Sequence, residues 1–287
     1  MSALRNRRAA VTGASRGIGR AIAHRLLADG ASVALCARDA AGVRDAADAL
    51  RAGAPDGARV HGEIADVTDA AALERFANAA EDALDGIDSL VCNAGIWGPK
   101  GALDAIAWDD WMHAFDVNVH GVARTVRAFL PALRRAGRAR IVILSGGGAT
   151  KPMPNLAAYS ATKTAVVRLG ETLAEELRAD GIRVNMLAPG AVNTAMLDEL
   201  LAAGPQRVGR KQYDDALKQR DTGGTPPERG AACCSYLLSD AVDGITGKLI
   251  SAVWDPWESL DAHRDEIARS DVFTLRRIVP SERGMSW

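Results

Sequence analysis

Aromatic residues are scarce: four Phe, three Tyr and six Trp make up only 5% of the 287 residues. An excess of either charge is missing too, since 35 Lys and Arg stand against 36 Asp and Glu for a net charge of −1. That balance does not recruit nucleic acid or an anionic membrane surface, so neither is expected as a partner. No window approaches about 18 uncharged apolar residues, which argues against a membrane-spanning helix. The opening MSALRNRRAAVTGAS is basic but has no apolar stretch of signal-peptide length. Four cysteines, Cys36, Cys92, Cys233 and Cys234, lack zinc spacing, and each lies in an apolar run (VALCA, LVCNA, AACCSYLL). Buried reduced thiols are the simplest reading, with no disulfide and no metal, and the chain is expected in the cytoplasm.

What is present is 48% hydrophobic residues, enough for a substantial core. They are laid out in alternation. Short apolar runs at Ala9–Thr12, Ser32–Ala37, Arg59–Ile64, Ser89–Cys92, Arg140–Ser145, Arg183–Leu187 and Lys248–Ala252 read as strands. Helical periodicity fills the gaps at Gly17–Asp29, Ala41–Ala52, Ala70–Leu84, Trp108–Arg135, Ala157–Ala179 and Pro227–Leu238. Strands fed by helices pair in parallel, because a parallel neighbour needs a crossover. Continuous apolar strands such as IVIL and SVALC are those covered on both faces. The expectation is an α/β, Rossmann-like, doubly wound parallel sheet of about seven strands. No repeat or linker divides the chain, so residues 1–252 read as one domain, with a variable loop at about 191–226 and an extension over 253–287.

Ligands of such sheets sit at the carboxyl ends of the strands. After the first strand comes TGASRGIGR, with Gly13, Gly17 and Gly19 spaced T-G-x-x-x-G-x-G. Glycines there permit a tight turn and let a diphosphate approach a helix N-terminus, where free N–H groups favour anions. At the end of the second strand an acid selects the ribose 2′-hydroxyl of NAD, whereas an arginine accommodates the 2′-phosphate of NADP. The sequence reads VALCARD: Arg38, then Asp39, with Arg16 as a second cation in the glycine turn. Two guanidiniums favour NADP(H). The alternative has both arginines in solvent and Asp39 selecting NAD(H).

Tyr159 and Lys163 are four apart on the helix after the fifth strand, so they share a face. A cation beside a phenol lowers its pKa from about 10, which makes Tyr159 a usable proton donor and acceptor.

Together these features resemble the short-chain dehydrogenase/reductase family. The match runs through AAVTGASRGIG, ADVTD, VCNAG, DVNVHG, AAYSATK, NMLAPGAVNTAM and ITGKLI, over roughly residues 5 to 252. The resemblance implies a cofactor held by the glycine turn (Gly13, Ser15, Arg16, Gly17, Ile18, Gly19), by Arg38, by Asp66 and Val67 near the adenine, and by Asn93, Ala94 and Gly95. Pro189, Gly190, Val192 and Thr194 would lie by the nicotinamide. It further implies Tyr159 as general acid/base, Lys163 also bonding the nicotinamide ribose, Asn118 holding a relay water, and pairing into a homodimer or homotetramer through long helices.

The sequence departs from that pattern where the family carries its catalytic serine, 13 positions before the tyrosine. Gly146 stands there, and Ser145 is one place early. Neighbouring strand residues face opposite ways, so Ser145 serves only if the backbone shifts. Gly146 to Gly148 make such a bulge cheap, and Ser145 is expected to serve, with Thr150 or a substrate group as alternatives. Cys92 replaces an asparagine and reads as a packing change. The extension carries Trp254, Trp257 and Trp287 and is expected to cover an apolar edge or reach a sister subunit, the alternative being a lid over the substrate. The leading function is NADPH-dependent reduction of a small carbonyl, or alcohol oxidation in reverse. An epimerase or dehydratase using the nicotinamide transiently, and a cofactor-binding scaffold impaired by Gly146, are the alternatives.

Overall fold

A computed structural model describes residues 3–287. Seven parallel strands form one sheet: β1 (Arg8–Thr12), β2 (Ser32–Ala37), β3 (Val60–Ile64), β4 (Ser89–Cys92), β5 (Ala139–Leu144), β6 (Ile182–Ala188) and β7 (Leu249–Ser251). Their order is β3-β2-β1-β4-β5-β6-β7, so the winding reverses between β1 and β4. That reversal opens a crevice beside the ends of the two strands, directly above the glycine turn.

The helices are α1 (Gly17–Ala28), α2 (Ala40–Ala52), α3 (Ala70–Leu84), α4 (Trp108–Phe115), α5 (Gly121–Ala136), α6 (Ala157–Glu176), α7 (Ala195–Val208), α8 (Arg210–Asp221), α9 (Pro227–Leu238) and α10 (Arg264–Arg269). Two apolar layers result. Leu26 of α1, Leu50 of α2 and Leu237 of α9 pack on one face of the sheet. Phe76 of α3, Phe129 of α5 and Val166 of α6 pack on the other, where Phe76 and Phe129 meet edge-to-face with centroids 5.4 Å apart. All four cysteines are buried and unpaired, Cys92 among the residues of the second layer.

Two features differ from the sequence reading. The helix expected over Trp108–Arg135 is broken into α4 and α5 by a π-turn, Asp116–His120, around Asn118. The stretch after β6 holds two helices, α7 and α8, where an irregular segment was expected. The extension folds back on its own chain: Trp257, Leu260 and Ile267 join the first apolar layer, and the Leu249 N–H of β7 donates to the Phe273 carbonyl. Among the described residues no helix is long and apolar enough to cross a membrane, and no His, Cys, Asp and Glu group could hold a metal.

Candidate active site

The glycine turn is packed too tightly for side chains. A Cβ at Gly13, which sits at φ +65°, would lie 2.8 Å from the Ala94 Cα, and one at Gly19 would lie 2.3 Å from Asn93 Nδ2. Asn93 stitches this turn to the end of β4, donating to the carbonyls of Thr12 (2.9 Å) and Gly13 (3.0 Å). No side chain caps the first turn of α1 and no acid lies in it, so its N–H groups remain for an anion. Thr194, which caps α7 through the Met196 N–H, lies across the turn, with its Cγ2 3.4 Å from where a Gly17 Cβ would be. Pro189 and Ile18 both abut Gly230 of α9, and Gly190 (φ +96°) packs on Val253. Val192 bridges Thr225. The residues present therefore fit a bound dinucleotide: a turn held close to Asn93 and Ala94 by glycine at 13 and 19, and a helix N-terminus without a side-chain cap.

At the end of β2 the two candidate selectors are in different states. Asp39 accepts the Gly42 N–H at 2.8 Å and caps α2, with Ser15 packed alongside Gly42. Arg38 is exposed and stands 3.8 Å from Asp66 Oδ2. Asp66 Oδ1 is taken by the Thr68 N–H and hydroxyl. Val67 is buried against Val117 and Leu73.

Tyr159 and Lys163 lie on the first turns of α6 over the end of β5. The Lys163 ammonium donates to the Leu144 carbonyl at 3.0 Å and stands 5.8 Å from the centre of the Tyr159 ring. Gly95 passes the same ammonium, a Cβ there falling 3.4 Å from Nζ. Asn118, held in the π-turn, accepts the Ile96 N–H (2.8 Å) and donates to the Ile96 carbonyl (2.9 Å) and the Thr162 hydroxyl (3.0 Å). Trp97 packs on Tyr159 with centroids 4.2 Å apart, and its Nε1 donates to the Met196 carbonyl at 2.7 Å.

A family model of short chain dehydrogenases matches residues 7–204. The chain is 36% identical over 247 residues to dehydrogenase/reductase SDR family member 4 of Oryctolagus cuniculus, spanning 86% of this chain and 92% of that one. It is 34% identical over 249 residues to the granaticin polyketide synthase putative ketoacyl reductase 1 of Streptomyces violaceoruber, spanning 85% and 90%. The crystal structure of a single-residue variant of the actinorhodin polyketide ketoreductase with NADPH superposes with a TM-score of 0.76 at 29% identity, covering 85% of this chain and 94% of that one. The chain belongs to the short-chain dehydrogenase/reductase family. Its members are oxidoreductases, and the crevice is that of an enzyme.

Two expectations are corrected by the geometry. Ser145 does not turn toward the tyrosine. Its hydroxyl is buried and donates to the Lys163 carbonyl at 3.3 Å, while its N–H keeps the strand register by donating to Leu187. No bulge forms, since Gly146 continues extended at φ −179°. That conformation is open to any residue, so the backbone does not demand glycine. A Cβ at 146 would lie 2.6 Å from the Tyr159 hydroxyl oxygen, so a side chain there requires the far end of the tyrosine to move. Thr150, the other candidate hydroxyl, is exposed at the end of the turn Gly147–Ala149. The second correction concerns charge. Burial pushes the Tyr159 phenol up to about 12 and the Lys163 ammonium down to about 8. Desolvation outweighs the neighbouring cation, whose Nζ is turned to the Leu144 carbonyl.

Some contributors escaped the sequence reading. Thr162 holds Asn118 and donates to the Tyr159 carbonyl at 2.8 Å; its position directly before Lys163 was the available signal. Leu197 and Leu200 of α7 with Ala216 of α8 close an apolar cluster over Tyr159, joined by Met153 and Tyr213.

Proposed function

We propose that this chain is an NADP(H)-dependent carbonyl reductase, running in reverse as an alcohol dehydrogenase, on a small and largely apolar substrate. The observation that carries it is the Tyr159 hydroxyl, set at the lip of β5 beside Gly146, with Lys163 one helical turn behind it and Gly95, the neighbour of the Asn93–Ala94 contact on the glycine turn, against that lysine. A bound nicotinamide supplies or accepts the hydride. Tyr159 gives its proton to the substrate oxygen, or takes it in the oxidative direction. Lys163 stands behind it as the cation that stabilises the phenolate once formed, and also offers donors to the nicotinamide ribose. Asn118 spends its side chain fixing the Ile96 loop and the Thr162 hydroxyl, so it holds the relay's geometry. The cofactor is held by the glycine turn, by Asn93 to Gly95 and by Pro189 to Thr194. The cluster of Trp97, Met153, Leu197 and Leu200 supports an apolar substrate.

NADP(H) is favoured because Asp39 is committed to capping α2, whereas Arg38 is exposed with only a long ion pair to Asp66. Arg16 adds a second cation. The NADPH in the actinorhodin ketoreductase structure agrees with this reading. The protein is proposed to act as a homo-oligomer through α4. There Trp108, Trp111 and Phe115 stack at 5.7 and 5.5 Å, with Trp108 62% exposed. Free buried cysteines suit a reducing compartment such as the cytoplasm.

Two measurements test the reading. Tyr159→Phe is expected to lower NADPH-dependent ketone reduction by roughly 10²–10⁴-fold while leaving NADPH affinity within a factor of two. Unchanged turnover in that variant removes the tyrosine from the chemistry. Arg38→Ala is expected to weaken NADPH binding by about 10–100-fold and to leave NADH binding alone. Equal loss for both cofactors would mean that Arg38 does not read the 2′-phosphate.

A further inference from the structure

We infer that Tyr159 is the side-chain donor the end of β5 aims at a substrate oxygen, with no second one where the family carries its serine, and that the site therefore selects ketones whose oxygen already accepts a hydrogen bond from a hydroxyl of the same molecule. This rests on the reductase reading above and names the substrate class of that site.

Four side-chain donors near Tyr159 are committed elsewhere, and the Ser160 hydroxyl is packed against Gly148. The Ser145 hydroxyl is turned into α6 and donates to the Lys163 carbonyl. Both amide protons of Asn118 go to Ile96 and Thr162. The Thr162 hydroxyl donates to the Tyr159 carbonyl. The single N–H of Trp97 goes to Met196. At Gly146 there is no side chain to donate, and the phenol oxygen fills the room one would need. What remains in the cluster over the tyrosine is mainly Met153, Leu156, Leu197 and Leu200.

In such surroundings a lone donor leaves the developing negative charge on oxygen undersupplied. Removing one donor of this kind from an enzyme costs on the order of 10²–10³ in rate. A hydroxyl beside the carbonyl in the substrate itself restores the second donor with no added loss of binding entropy. Apolar walls help it, since no water competes for that internal bond.

In the reductive step the carbonyl carbon receives the hydride with its two electrons, and the dihydronicotinamide becomes the oxidised ring. The C=O π pair moves onto oxygen, which takes the proton of the Tyr159 hydroxyl. The phenolate then regains a proton from solvent. The neighbouring substrate hydroxyl keeps its own proton throughout and acts only as a hydrogen-bond donor.

The test is kcat/KM for 2′-hydroxyacetophenone against 4′-hydroxyacetophenone with NADPH, each normalised to its borohydride reduction rate. The two rings donate electrons alike, but only the first forms the internal hydrogen bond. We expect the ortho compound to be favoured by about tenfold or more. A normalised ratio near one overturns the proposal and leaves the reductase reading standing. No turnover of either compound with NADPH or NADH, cofactor binding being intact, overturns the reductase reading itself. Two polar side chains on the loop side, Asn155 and Tyr213, provide the second arm. Asn155→Ala and Tyr213→Phe should leave the ratio unchanged. A rise in the ratio in either variant, from loss of the para rate, shows that the protein supplies the second donor and overturns the proposal.

Discussion

At the scale of the residue, Lys163 is a cation paid for by its surroundings. Its pKa falls from 10.5 to about 8 through burial, so folding disfavours the charged form. The folded chain then binds fewer protons than the unfolded one between those two values, and stability rises with pH across that window. Below about pH 8 the whole penalty is present. Lys163→Met is therefore expected to stabilise the protein at pH 7 by on the order of 1–3 kcal/mol, with reductase activity lost. The advantage should shrink as pH climbs from about 8 toward 10.5. Urea titrations of both proteins at several pH values check this, and parallel curves would contradict it. Single residues also mark where the sequence was readable and where it was not. The one-place slip between Ser145 and Gly146 is visible in the letters. Its outcome depends on which way one hydroxyl turns, and a main-chain carbonyl of α6 decides that. Spacing holds no trace of such a contact.

At the scale of the element, Trp97 joins the loop after β4 to α7. Its ring lies on Tyr159 and its N–H holds the Met196 carbonyl. Trp97→Phe keeps the ring contact and removes the bond. The expected result is a KM about tenfold higher, the worth of one buried hydrogen bond, with a smaller change in kcat and faster proteolysis of the segment 195–221. A kcat loss without a KM change would instead place the indole in the chemical step. The strands and most helices were legible because each announces itself by apolar period: α3 and α9 start and stop where the pattern does. The two helices α7 and α8 were not. Gly204 at φ +76° before Pro205, Gly209 at φ +83°, and Gly223 with Gly224 break the pattern into pieces that read as loop. The π-turn at Asn118 was equally silent, since one extra residue in a helical turn leaves the composition unchanged.

At the scale of the whole molecule, α4 presents the aromatic face that α5 and α6 leave uncovered. Trp108→Glu, a change far from the crevice side chains described above, is expected to shift the protein to a smaller species in sedimentation velocity at micromolar concentration. An unchanged sedimentation coefficient would count against the proposed assembly through α4. The extension acts at this scale as well. Its first half supplies Trp257, held by its Nε1 to the Ala252 carbonyl and packed against Tyr236 and Arg229. Its second half lies along β7, tied by Lys248 to the Ser270 carbonyl and by the Leu275 N–H to Glu171. An open strand is a template for a stranger's backbone, and β7 is closed by a stretch made after it. When residues 257 to 275 come loose, through partial unfolding or proteolytic trimming, that edge is open to the backbone of another chain, so self-association rises as the tail is lost.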